Sequence, residues 1–307
     1  MKNGKVVVVG GGVVGCISAI EIKKKGFDVV VIDQSSIGSG SSWAAGGILF
    51  PLMPWNYSKK VYELCNPSTI YYQELAKELY EETGIDSQFK ESGLAIVNPF
   101  NIDAIQDWCT QNNIESSIDT SRSKKKITLK KICQIRPPRL MKALKRYMKT
   151  IGIEIFENKK IISFDENKGE IKSCTTSEGR VFESQAFLLS AGAWTSKILK
   201  EYKSKVFPIK GQMIQYPKTE LKLENIMYED GFYLIPREDG VLIGGSTLEK
   251  VGFNSQDNIE NINALKRKAE SIIPELKSVE IAKSWHGFRP GTADNIPIIQ
   301  QHKNYKN

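Results

Sequence analysis

Between residues 6 and 33 the chain carries three elements in an order that leaves few folds open. Val6 to Val9 form a β-branched run short enough to be a buried strand of a parallel sheet. Gly10-Gly11-Gly12-Val13-Val14-Gly15 follows directly and matches G-x-G-x-x-G, with Gly10, Gly12 and Gly15 in the defining places. Cys16 to Lys25 continue as a helix with Ile17, Ala19 and Ile20 along one face, and Gly26 stops it. FDVVVID then makes a second strand ending in Asp33, 23 residues after Gly10. Gly10 permits a tight turn, Gly12 lets backbone N–H groups reach a pyrophosphate, and Gly15 allows helix to pack closely on strand. The helix N-terminus favours the anion, and Asp33 is placed to accept hydrogen bonds from ribose hydroxyls. A bare glycine triplet is a weak sign. With strand, helix, second strand and terminal acid in place it predicts a dinucleotide site, NAD and FAD both remaining open.

After Asp33 and Gln34 the chain reads SSIGSGSSWAAGGILFPLMPW. Gly38, Gly40, Gly46 and Gly47, with Ser39, Ser41 and Ser42, make a loop rich in backbone donors. Small residues then start a helix, which suits a second stretch of pyrophosphate or a flavin edge. Trp43-Ala44-Ala45 and the apolar run behind them exclude a fully solvated loop.

The remaining composition narrows the class. A length of 307 residues corresponds to about two domains of roughly 150 each. Hydrophobic residues at 40% and charged residues at 25% are ordinary for a soluble globular protein and exclude disordered and collagen-like classes. The net charge of +8 raises nucleic acid or an anionic membrane as partners, but only eight of the 43 basic residues are arginines and the lysines are scattered. That dispersal reads as solvated surface, so no nucleic-acid partner is expected. Five dispersed cysteines without a C-x-x-C pair exclude a disulfide framework and fit a reducing compartment. Two histidines, His286 and His302, exclude a multi-His metal site, and no metal is expected. No apolar run approaches ~18 residues, so no membrane insertion is expected. The basic start and the apolar stretch behind it imitate a signal peptide, but no small-residue cleavage site follows and the glycine spacing explains the stretch, which predicts a cytoplasmic protein.

Several downstream segments occur together in a definite order. They are SSWAAGGILFPLMPW; LLSAGAW (Leu188 to Trp194); Pro208-Ile209-Lys210-Gly211-Gln212; YLIPREDGVLIGGSTLE (Tyr233 to Glu249); and WHGFRPGTADNIPII (Trp285 to Ile299). Together with the glycine motif, this series resembles the glycine oxidase branch of the D-amino-acid-oxidase-type FAD-dependent oxidoreductases over about residues 5 to 300. The resemblance implies an α/β protein in which a Rossmann-type FAD-binding domain (1–50, 136–198 and 282–307) is interleaved with an α+β substrate domain (51–135 and 199–281) carrying a large mixed sheet. It implies FAD as cofactor, held by Gly10, Gly12, Val13, Val14 and Gly15, by Asp33 and Gln34, by Ser41, Ser42, Ala45, Gly46 and Gly47, and by Ile161, Ala191, Gly192 and Trp194. It assigns the substrate carboxylate to Arg289, whose planar fork matches two oxygens, and to Tyr233, with Leu248 in an apolar pocket wall that favours glycine, sarcosine and small D-amino acids. His286 is read as structural, since hydride transfer from a neutral amine needs no base.

The implied reaction is oxidative deamination of a small amino acid by FAD and O2 to an oxo-acid, ammonia and hydrogen peroxide, tied to thiamine biosynthesis. The partners are then a small amino acid and O2, and a homo-oligomer is compatible. Two alternatives stand beside it: an amino-acid dehydrogenase using another acceptor, and a flavin-binding remnant without turnover. The remnant is suggested by Gln300, which replaces a family glycine and precedes a polar QHKNYKN tail, so that the family's C-terminal strand, Gly-His-x-Arg-Asn-Gly-Ile segment and helix are expected to be missing, with sheet edges exposed. A fourth reading, a flavoprotein acting on tRNA, is disfavoured by the scattered lysines.

Local patterns predict further elements. Ser68 caps a helix through Glu82 with Ile70, Leu75 and Leu79 on one face, and Gly84 ends it. Tyr71 and Tyr72 belong to its packing. Pro137-Pro138 opens a helix that stops at Gly152 before the strand IEIF, and Asn258 to Ile273 is an amphipathic helix ended by Pro274. SRSKKK (121–126) is predicted to be a solvated charged loop.

Overall fold

The computed structural model describes residues 4–99, 101–121 and 124–307. Strand β1 (Lys5–Val9), helix α1 (Val13–Lys24) and strand β2 (Asp28–Ile32) form the expected crossover. Short α2 (Ser41–Ala44) and α3 (Lys59–Cys65) precede α4 (Ser68–Thr83), which Gly84 ends in a left-handed conformation, φ 68°. Ser68 does not cap α4: Pro67 is the N-cap and the Ser68 hydroxyl donates to the Leu64 carbonyl, continuing the preceding turn. Ile70, expected on the buried face, is exposed, while Leu75 and Leu79 are buried.

Strands β3 (Lys90–Glu91) and β4 (Leu94–Val97), helix α5 (Ile102–Gln111), and strands β5 (Ser116–Asp119), β6 (Lys126–Leu129) and β7 (Cys133–Gln134) follow. Pro137 then opens α6 (Pro137–Thr150), leading to β8 (Glu154–Phe156). A meander of β9 (Ile161–Asn167), β10 (Glu170–Thr176) and β11 (Val181–Glu183) precedes β12 (Ala186–Leu189) and α7 (Thr195–Ile198). The last part comprises β13 (Phe207–Tyr216), β14 (Ile226–Glu229), β15 (Phe232–Pro236), β16 (Leu242–Gly245), α8 (Ile259–Ile272) and β17 (Lys283–Gly291). Asn258 caps α8 by accepting from the Glu260 and Asn261 N–H groups. Among the described residues no helix is long and apolar enough to cross a membrane.

Four strands in the order β12-β1-β2-β8 form an all-parallel sheet. One face buries Val8, Val29 and Val31 against α1, α4 and α6, and the other packs Val7, Val9 and Ile32 on the meander through Ile161, Cys174 and Phe182. Covering both faces is what a run such as VVVV demands. The edge strand β12 is half-buried, and its Phe187 N–H donates to the Asn307 carbonyl at 2.9 Å.

The second sheet has eight strands in the order β17-β13-β16-β15-β14-β4-β6-β5 and is mixed, with only β14 and β4 parallel. One residue row crosses it without a break: Trp285, Met213, Gly245, Tyr233, Tyr228, Ile96, Ile127 and Ile118. Residues in register share a face, and most of this row packs in the cluster beneath Ile48, Phe50 and Trp55. The opposite face, with Ile214, Phe232, Leu234 and Leu242, is covered by Ile262, Leu265 and Ala269 of α8.

Within the C-terminal segment 282–307, β17 pairs along its full length with β13 of the large sheet, while the Asn307 carbonyl accepts the Phe187 N–H of β12 in the parallel sheet. In the segment 121–126 Ser121, Lys124 and Lys125 are exposed, as a solvated charged loop requires; Lys124 pairs with Glu229 at 2.8 Å and Lys126 begins β6, while Arg122 and Ser123 lie outside the described residues.

Candidate active site

At the carboxyl ends of β1, β2 and β12 lies a cleft of 470 Å³, where parallel α/β sheets place their ligands. Gly10, Gly12, Val13 and Val14 line it at the first turn, Asp33 and Gln34 after β2, then Ser41, Ser42 and Ala45 around α2, and Ile161, Ala191, Gly192 and Trp194 from the far side. Gly10 sits at φ 112°, and a Cβ there would lie 2.5 Å from the Ser190 carbonyl. Gly12 is the N-cap of α1 and has no side chain to satisfy the helix end, and the first turn holds no acid. The Ser42 hydroxyl accepts the Val13 N–H at 2.8 Å and so fixes the loop against the helix. A helix end whose N-cap has no side chain and whose first turn holds no acid favours an anion.

Asp33 accepts the Gly11 N–H at 2.7 Å and the Ser35 N–H at 2.8 Å, one on each oxygen. Burial pushes its carboxyl above the ordinary 3.8, and the two N–H groups partly offset this. A carboxylate has about four acceptor positions, so two remain for hydroxyl donors.

Gly15, Gly46 and Gly47 sit at close approaches between elements. A Cβ on Gly15 would lie 1.9 Å from the Gly10 carbonyl, one on Gly46 2.8 Å from Ile235, and one on Gly47 2.1 Å from the Ile135 carbonyl. None of the three lines the cleft; they let helix, loop and sheet approach.

The large sheet meets the cleft through β17 and α2. The Trp285 indole N–H donates to the Ala44 carbonyl at 3.0 Å, the Ser41 hydroxyl donates to the Phe288 carbonyl, and Trp43 meets Trp285 edge-on at 5.9 Å. Gly287 makes the approach possible, since a Cβ there would be 2.6 Å from Ala44. Pro290 lines the cleft, and beside it Arg289 spreads its guanidinium over Gly211. Its Nη1 donates to the Thr247 carbonyl at 3.2 Å and its Nη2 to the Ser246 hydroxyl. Among the described residues no carboxylate pairs with Arg289. Tyr233 is next to this corner: it is in register with Gly245, and its hydroxyl contacts the Met213 sulfur at 3.4 Å. The structure therefore brings Arg289 and Tyr233 to the two sides of Gly245–Ser246.

Proteins of known type match this chain over nearly its whole length. The family described as FAD dependent oxidoreductase, DAO, matches residues 5–307. A glycine oxidase of Pseudomonas putida is 34% identical over 96% of this chain and 85% of its own. The structure of a glycine oxidase from Bacillus cereus superposes with a TM-score of 0.90 at 25% identity, covering 99% of this chain and 87% of that one. A second, from Geobacillus kaustophilus, gives 0.91 at 23% identity, covering 99% and 87%. This chain belongs to the DAO family of FAD-dependent oxidoreductases.

The family cofactor fits the residues present. The glycine cradle, the acid-free α1 N-terminus and the Asp33 oxygens match a pyrophosphate and a ribose, and the cleft volume falls within the roughly 300–1,000 Å³ usual for ligand sites. When bound, FAD supplies the two-electron acceptor for the enzyme's oxidation.

Some residues at or near the cleft escaped the sequence reading. Lys159, Lys160 and Lys197 line the cleft, although the lysines read as dispersed surface. Arg237, in the segment after Tyr233, is 7% exposed. It donates to Gln134 Oε1 at 2.7 Å, to the Ile135 carbonyl at 3.1 Å and to the Gly46 carbonyl at 2.6 Å, clamping sheet, helix entry and α2 loop together. Burial, reinforced by nearby Arg136, pushes it down to about 10. An arginine directly behind an apolar strand was the available signal.

Leu248 is 79% exposed, in the segment that follows β16. His286 pairs with Asp257 at 2.7 Å and packs edge-on against Phe288, outside the cleft lining.

Proposed function

We propose that this enzyme oxidises glycine or a similarly small amino acid with O2, giving the oxo-acid, ammonia and hydrogen peroxide. The observation that carries the reading is Arg289: a planar cation next to Pro290 of the cleft lining, held by the neutral acceptors Thr247 and Ser246 and, among the described residues, paired with no carboxylate. Arginine in that state is suited to a bidentate carboxylate. The glycine oxidases among its relatives support the same class of substrate.

In this reading Arg289 clamps the substrate carboxylate and the Tyr233 hydroxyl donates to the same group. Both lie on the large sheet, whose contact with α2 fixes them relative to the cleft. Holding the carboxylate at two points orients the α-carbon and its hydrogen toward the cleft, and orientation is the protein's main contribution. The amino acid loses two electrons and two hydrogens to become the imino acid. Water then hydrolyses the imino acid to oxo-acid and ammonia, and O2 takes up two electrons and two protons to become peroxide. A role in thiamine biosynthesis is the second part of the reading, supported by the likeness to a Synechocystis protein named bifunctional protein ThiO/ThiG, 27% identical over 96% of this chain and 46% of its own.

Oxygen uptake with glycine tests the reading. Peroxide is expected in equal amount to the O2 consumed. Arg289→Ala is expected to raise KM by roughly 30-fold or more, since truncating one partner of a buried charge pair costs about 2–5 kcal/mol. Absence of oxygen uptake with any small amino acid in FAD-loaded protein contradicts it, and turnover only with an artificial electron acceptor turns the reading to a dehydrogenase.

A further inference from the structure

Arg289 is only as well placed as the two residues that hold it. Ser246 and Thr247 follow β16 directly and leave the regular ladder, so their position depends on other contacts. The Thr247 N–H donates to the Gln212 carbonyl at 3.2 Å, and the Gln212 N–H donates back to the Thr247 hydroxyl at 2.8 Å. That hydroxyl in turn donates to Glu249 Oε1. The same carboxylate oxygen accepts the Gln212 side-chain amide at 2.9 Å. The amide oxygen of Gln212 accepts the N–H of Asn258, the N-cap of α8, at 2.9 Å. Glu249 is itself tied to β13 by backbone bonds in both directions with Lys210, at 2.9 and 3.0 Å.

We propose that Glu249 and Gln212 are positioning residues for the substrate carboxylate, acting on Arg289 through Thr247. The inference rests on the reading of Arg289 as the carboxylate anchor. Three features support it. Gln212 is 1% exposed, and both ends of its amide are used, so the network has one geometry. Glu249 makes no ion pair with Arg289 among the described residues and so leaves the guanidinium charge for the substrate. The Thr247 hydroxyl accepts from one strand and donates to Glu249, so losing the carboxylate frees the corner that supplies the Thr247 carbonyl. Buried networks of this kind position a group more sharply than their single bonds suggest.

The test uses FAD-loaded wild type, Glu249→Ala, Glu249→Gln and Arg289→Ala, with glycolate as a competitive carboxylate probe and glycine ethyl ester as a substrate lacking the carboxylate charge. Glu249→Ala is expected to weaken glycolate inhibition and raise the glycine KM by about tenfold, with kcat/KM for the ester changed less than twofold and the flavin spectrum intact. Glu249→Gln keeps an acceptor oxygen for both donors and is expected to restore glycolate affinity to within about threefold of wild type. Wild-type glycolate affinity in Glu249→Ala, beside a loss in Arg289→Ala, overturns the positioning role and leaves Arg289 as anchor. Wild-type affinity in both variants overturns the anchor reading as well. An equal loss with glycine and its ester also overturns the role, since it marks a general structural defect. Should Glu249→Ala fail to retain FAD, Thr247→Val, which breaks the same relay from its other end, is read by the same criteria.

Discussion

The Arg289 guanidinium lies against the α-carbon of Gly211, where an added Cβ would stand 2.5 Å from Nη1 and 2.8 Å from Cζ. Strand β13 is thus bare at the point where the cation crosses it, and the Lys210-Gly211-Gln212 sequence has a physical reason: the glycine seats the arginine and Gln212 steadies its acceptors.

Gly211→Ala follows from that contact. The clashing atoms are the far end of a flexible side chain, so the guanidinium moves and the strand stays. The glycine KM is expected to rise tenfold to a hundredfold, because a displacement of about 1 Å can cost 10²-fold, while the melting temperature stays within a few degrees of wild type. Steady-state kinetics beside calorimetry separates the two; a large fall in melting temperature with unchanged KM contradicts the seating role.

Gly15→Ala is the opposite case. Its Cβ would meet the Gly10 carbonyl at 1.9 Å and the Ser190 hydroxyl at 2.5 Å, and the first of these is backbone within the cofactor turn. Overpacking against backbone costs about 1–3 kcal/mol, here by moving α1 off β1. The variant is expected to lose FAD on gel filtration, read as the ratio of flavin to protein absorbance.

Arg237→Met removes a buried clamp. Gln134 Oε1 and the carbonyls of Ile135 and Gly46 lose their donor together. With about 1–3 kcal/mol for each buried group left unsatisfied, and partial relief by relaxation, the melting temperature is expected to fall by roughly 5–10 °C. Arg237→Lys presents one point charge in place of a fork and is expected to recover less than half of the loss.

Acid should loosen the loop in front of the cleft through Glu157. Its carboxylate accepts the Ile37 N–H at 2.7 Å and pairs with Lys145 at 2.6 Å. Burial alone would push this carboxyl up, but the Lys145 ammonium and the Ile37 N–H outweigh it and hold it below the ordinary 4.5. A carboxyl lowered in the folded state stabilises fully above its unfolded value and ceases to do so as pH falls through the folded one. The melting temperature of wild type is therefore expected to decline more steeply than that of Glu157→Gln between about pH 6 and 3. Parallel curves contradict the assignment.

What could be read without coordinates was contiguous. Strand, glycines, helix and Asp33 lie within 6–33, and each requirement of the nucleotide turn is met by a near neighbour in the chain. Arg289 and Tyr233 were legible only through the motifs around them, since 56 positions separate them and nothing local states that both border Gly245–Ser246. Glu249, Gln212 and Arg237 were not legible as site residues. Their partners are 37, 46 and 191 residues away, and a Glu, a Gln or an Arg beside a strand reads as solvated until the fold buries it. The pairing of strand 283–291 with Phe207–Tyr216 was not legible, because neither segment alone states its ladder partner.

The most direct test is the visible spectrum of FAD-loaded protein, titrated with glycine in the absence of oxygen. The flavin band near ~450 nm is expected to bleach as glycine is added and to return on admission of air, with peroxide formed. A band that stays unchanged with glycine, sarcosine and small D-amino acids contradicts oxidation of a small amino acid at this cleft.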